Sequence, residues 1–72
     1  MSSYRTVQVR FQSCDNLALE ETWNVEQRGG VLSYPEKVMR LTASGRYREY
    51  LKGSTGKQPS GEMYVVYNEV ER

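Results

Sequence analysis

SYPEKVMRLTASGRYREYLKG, residues 33–53, decides the fold, because its spacing supports a helix pair or a hairpin. Ser33 stands three positions before Glu36, the spacing of a capping box in which each side chain satisfies a free N–H at a helix start. Pro35 is tolerated in a first helical turn, where no hydrogen bond is lost. Tyr34, Val38 and Leu41 follow at i, i+4 and i+7, and Gly45 can take the left-handed conformation that ends a helix. The spacing therefore predicts a helix from Tyr34 to Ser44. Beyond the glycine, Tyr47, Tyr50 and Leu51 at i, i+3 and i+4 predict a short second helix closed by Gly53. Under the alternative, Ser44-Gly45 is a turn, KVMRLTA and RYREYLKG are its two strands, and the whole chain is a small all-β barrel of about five strands.

Working outward from this stretch, both flanks read as strands. In YRTVQVRF (4–11) Val7, Val9 and Phe11 alternate with polar residues, the period of a strand with one face on a core. LALEETWNVEQ (17–27) keeps Leu17, Leu19, Trp23 and Val25 on one face, with Glu21 out of place. SCDN between them marks a hairpin loop of about four residues. EMYVVYNEV (62–70) is apolar on both faces, with Met63, Val65 and Tyr67 on one and Tyr64, Val66 and Val70 on the other. Such a strand is covered on both sides. The preferred reading is a single α+β domain over residues 1–72: a hairpin, one or two helices and a final strand, forming a three-stranded antiparallel sheet. In it the last strand lies beside the first, leaving the second at an edge.

GSTGKQPSG (53–61) has the composition of a phosphate-binding loop but lacks its spacing. Only two residues separate Gly53 from Gly56, Gln58 follows Lys57 where Ser or Thr is required, and a strand, not a helix, comes next. It is expected to be a surface loop. The 72 residues hold one cysteine and no histidine, which excludes an internal disulfide and a Cys/His zinc site, and removes the commonest acid–base catalyst near neutral pH. No cofactor or metal is expected. The longest apolar run, MYVVY, is far short of the ~20 residues that span a bilayer, and the start of the chain lacks a signal-peptide pattern, so no membrane association and a cytoplasmic location are expected.

Charge is segregated although the net charge is only +1. Residues 37–57 carry six basic side chains (Lys37, Arg40, Arg46, Arg48, Lys52, Lys57) against Glu49, a balance of +5. Residues 15–36 carry Asp15, Glu20, Glu21, Glu26 and Glu36 against Arg28, a balance of −4. Six tyrosines and one tryptophan are more than so small a core requires, and such residues suit surfaces that are both apolar and hydrogen-bonding. These features point to a small non-enzymatic regulator, inhibitor or accessory subunit that binds another protein or a second copy of itself. Its site would comprise Tyr4, Tyr64 and Val66, with Glu20 and Glu21 orienting the partner. The alternative is a nucleic-acid-binding module using Arg46, Tyr47, Arg48, Tyr50, Lys52 and Lys57, in which cations meet phosphates and tyrosines stack on bases. An enzyme of unknown type is the third reading.

Overall fold

The computed structural model describes residues 3–15 and 17–70, and none of them is helical. They form six strands: β1 (Ser3–Gln12), β2 (Ala18–Arg28), β3 (Val31–Leu32), β4 (Lys37–Leu41), β5 (Tyr47–Lys57) and β6 (Met63–Glu69). The strand order is β3-β2-β1-β6-β5-β4. β1 pairs with β6 in parallel, and every other neighbouring pair is antiparallel.

β3 and β4 lie at opposite ends of this order, yet only residues 33–36 separate them. A connection of that length reaches about 17 Å, whereas six flat strands at ordinary spacing place their outer members about 24 Å apart. The sheet must therefore curl, and it forms a half-barrel. The crossing is tighter still: Ser33 N donates to Glu26 O on β2 (3.3 Å), and Glu36 O accepts from Lys52 N on β5 (2.9 Å). Tyr34 and Pro35 alone carry the chain from one end of the sheet to the other.

The α+β expectation is thus corrected, together with its three-stranded antiparallel sheet and both helices. Ser33 and Glu36 form no capping box: the Ser33 N–H is bonded to β2, and the Glu36 carboxylate accepts from Lys52 Nζ at 2.8 Å. Residues 37–51 form the hairpin of the alternative reading, turning where Gly45 has φ 83°, but within six strands and not five. The last strand does lie beside the first, in parallel. The loop predicted over 53–61 is also shorter than expected, because β5 continues through Lys57 with a bulge between Lys52 and Thr55. The β1–β2 hairpin forms as expected, closed by Ser13 N donating to Leu17 O at 2.8 Å; Asn16 of its loop lies outside the described residues.

The inner face of the curl holds the core. Val7, Val9, Phe11, Val25, Tyr50, Val65 and Tyr67 are buried, with Trp23, Leu32, Tyr34, Val38 and Met63 packed against them. Phe11 is the hub. It stacks on Tyr67 (centroids 5.5 Å apart), meets Tyr50 edge-on (5.1 Å) and lies 5.9 Å from Trp23. Tyr67 Oη donates to Pro35 O at 2.8 Å, tying the core to the crossing segment.

Candidate functional site: the outer wall of the second hairpin

In an antiparallel pair, residues facing the core alternate with residues facing out. For the β4–β5 hairpin the inner set is Val38, Arg40, Arg48, Tyr50 and Lys52, and the outer set is Lys37, Met39, Leu41, Tyr47, Glu49 and Leu51. The ordinary polarity of a half-buried hairpin is largely inverted. Three of the inner five are cations, and four of the outer six are large apolar side chains.

Each inner cation meets a carboxylate. Arg40 grips Glu21 of β2 through Nη1 (2.8 Å) and Nη2 (2.5 Å), and its Cζ lies 4.7 Å from the centre of the Phe11 ring. Arg48 reaches Glu69 of β6 at 3.3 Å and Asp15 at 4.0 Å, and Lys52 reaches Glu36 at 2.8 Å. The acidic segment 15–36 and the basic segment 37–57 are thereby brought against each other across the curl. Burial works to raise the Glu21 carboxyl, but hydrogen bonds from Arg40 and Trp23 and the charge of Arg40 outweigh it and hold the group below its ordinary value. The stability this contributes is present above the ordinary carboxylate range and is lost as pH falls through the lowered value.

On the outer wall, Met39 (48% exposed), Leu41 (63%), Tyr47 (66%) and Leu51 (47%) stand on two adjacent strands, with Leu41 directly opposite Tyr47. Lys37 and Glu49 form an ion pair among them at 2.9 Å, so the wall carries no net charge from its own members. β4 is an edge strand.

The residues expected at the protein-binding site are divided by the fold. Glu20, Tyr64 and Val66 come together on the outer face, lining a shallow cleft of about 430 Å³ with Gln8, Arg10 and Glu62. Tyr4 is 71% exposed near the start of β1, on the same face but outside that cleft. Glu21 faces inward and is held by Arg40. Tyr64 lies close over Gly56, where an added Cβ would sit 2.7 Å from its hydroxyl. Of the residues grouped for nucleic-acid contact, Tyr50 is in the core, Arg48 and Lys52 are inward and ion-paired, and Tyr47 is outward. Arg46 and Lys57 are exposed and form no ion pair among the described residues. Sequence reasoning misses Met39, Leu41 and Leu51 as surface residues, since the helical spacing puts Leu41 and Leu51 on core faces. The signal for them was the alternative hairpin, whose period puts all three on one side.

No group of three or more His, Cys, Asp or Glu side chains able to hold a metal ion occurs among the described residues. No helix among them is long and apolar enough to cross a membrane. No protein family, curated protein or solved structure matches the chain.

Proposed function

We propose that this chain is a small non-enzymatic protein-binding module, a regulator, inhibitor or accessory subunit, that lays the outer wall of the β4–β5 hairpin against a partner. The observation carrying this reading is the inversion of the hairpin, which turns Met39, Leu41, Tyr47 and Leu51 to solvent while its cations turn inward. Clustered apolar exposure on a small chain favours a cover, and Tyr, Met and Leu are residue types enriched at protein interfaces or apolar enough to gain from burial. The cleft at Glu20, Tyr64 and Val66 extends the contact around the outer face. Nucleic acid is less well supported as the partner, because Arg40, Arg48 and Lys52 already face carboxylates.

The test replaces Leu41 and Tyr47 together by Ser, both exposed positions outside the core. The double variant should keep its circular dichroism spectrum and melting temperature. In affinity capture from the native host, a protein retained by the wild type should be lost with the variant. Equal retention by both forms, or nothing specific on either, would sink the proposal.

A further inference from the structure

The free edge of β4 has a defined hydrogen-bonding phase. Thr42 N donates to Arg46 O (2.7 Å) and Lys52 N to Glu36 O (2.9 Å), which makes Thr42/Arg46 and Glu36/Lys52 hydrogen-bonded pairs. Antiparallel pairs alternate, so Val38 and Arg40 also direct their backbone groups to β5. The N–H and C=O groups of Lys37, Met39 and Leu41 therefore point away from the sheet. These are the residues whose side chains lie exposed on the outer wall. Of the usual protections, no proline and no bulge interrupt residues 37–41, the outward charge, Lys37, is paired with Glu49, and the inward charge, Arg40, is held by Glu21. The free stretch of β2 differs, with polar Glu20, Thr22 and Asn24 on its outer side.

We infer that this edge pairs with the same edge of a second copy of the chain, β4 against β4, antiparallel about a two-fold axis at Met39. The inference rests on the reading of the β4–β5 wall as a protein-binding surface and names its partner. The register follows from charge and backbone chemistry. With the axis at Met39, Lys37 lies opposite Leu41 of the second copy, Met39 lies opposite its counterpart, and all three outward residues are engaged in about six hydrogen bonds. Axes at neighbouring positions fail. At Lys37 the axis opposes two lysines, and at Arg40 it opposes two arginines, like-charge contacts that destabilise a strand pair. At Val38 it sets Leu41 opposite Pro35, which has no N–H to give. At Leu41 it sets Met39 and Lys37 opposite Ala43 and Gly45 of the turn, outside the strand, so the Met39 axis alone pairs the whole strand without opposing like charges or losing a bond to proline.

Sedimentation equilibrium and non-reducing electrophoresis test the pairing. The wild type should sediment at about twice 8.4 kDa at tens of micromolar and dissociate on dilution. Met39→Lys should be monomeric over the same range, its association at least tenfold weaker, because it sets two like charges on the axis; position 39 is exposed, so solvent accommodates the lysine within one copy. The register is read independently by Met39→Cys in a Cys14→Ser background. Hydrogen-bonded antiparallel partners lie about 5.5 Å apart at Cα, within the ~4.4–6.8 Å range of a disulfide, so mild oxidation should link two copies. Gln8→Cys in the same background, on a central strand, should stay unlinked. A wild type that remains monomeric at hundreds of micromolar, a dimer that persists in Met39→Lys, or equal linking at positions 39 and 8 overturns the inference. A monomeric wild type leaves the protein-binding reading to the Leu41/Tyr47 capture experiment, so the two fail separately.

Discussion

Tyr67 is fully buried, and its hydroxyl is bound to the Pro35 carbonyl at the point where the chain crosses the curl. Burial, with smaller contributions from Glu36 and Tyr34, pushes its pKa up to about 12. Burial also raises Tyr34, against the opposing charges of Arg5 and Lys52. A group whose folded pKa lies above its unfolded value of about 10 stabilises the protein fully below pH ~10 and loses that contribution as pH rises toward ~12. At about 1.4 kcal/mol per pH unit, Tyr67 alone should remove roughly 2 to 3 kcal/mol across this window. Urea denaturation at stepped alkaline pH measures the loss, and Tyr67→Phe should flatten the dependence while lowering stability at neutral pH by removing the Pro35 bond. An unchanged slope in that variant would show that another group governs alkaline unfolding. Arg40 is the second residue on which the interior depends. Its guanidinium covers Phe11 and fills the space between the unpaired stretches of β2 and β4, a position that hydropathy alone would give to leucine or methionine.

That arginine also explains why the second hairpin was harder to read than the first. Val7, Val9 and Phe11, and likewise Met63, Val65 and Tyr67, follow the period of a strand, and each of these faces points to the core as expected. In KVMRL the inner partner of Val38 is Arg40, and in YREYLK the inner partners of Tyr50 are Arg48 and Lys52. With cations in the inward places, the remaining apolar residues fall at helical intervals. Those cations are satisfied by Glu21, Glu36 and Glu69, which lie far away in sequence, so no local pattern could reveal them. The glycine-rich stretch was similarly ambiguous. Gly53 and Gly56 belong to β5 because Asn68 and Tyr64 of β6 approach them closely: an added Cβ at Gly53 would lie 2.5 Å from Asn68 Nδ2 and 3.1 Å from Val66 O. Glycine within a strand often marks such an approach or a bulge, and here both occur. Gly56→Ala should therefore cost about 1 kcal/mol, and most of that penalty should vanish when Tyr64→Ala is introduced with it, a coupling that a double-mutant cycle of chemical denaturation measures. Full additivity would mean that the close approach does not constrain β5. The two-sided apolar pattern of β6 puts Tyr64 and Val66 on the outer face, whereas the helical spacing of 33–53 places Leu41, Tyr47 and Leu51 on core faces and hides the β4–β5 wall.

At the scale of the molecule, the segregation of charge along the chain becomes neutralisation across the fold. The acidic first half supplies Glu21 and Glu36, the basic second half supplies Arg40 and Lys52, and the curl sets them in contact. The sheet order has a similar long-range character, since β1 and β6, separated by most of the chain, lie side by side at its centre. Pairing of residues so distant in sequence pays its loop-closure entropy before any contact returns it, which places refolding in the millisecond-to-second range. A chain ended at Lys57 retains two hairpins but loses β6, the strand that pairs with both, and should give collapsed, undispersed amide resonances. A well-dispersed spectrum from that fragment would show that the hairpins are independently stable. In the cell the same order sets a schedule. At ~5–20 residues per second, β1 waits for several seconds while the rest of the chain is made, exposing the edge that β6 will later cover. Because β6, one of the two central strands, follows the other five in sequence, the sheet can close only after residue 69 has left the ribosome.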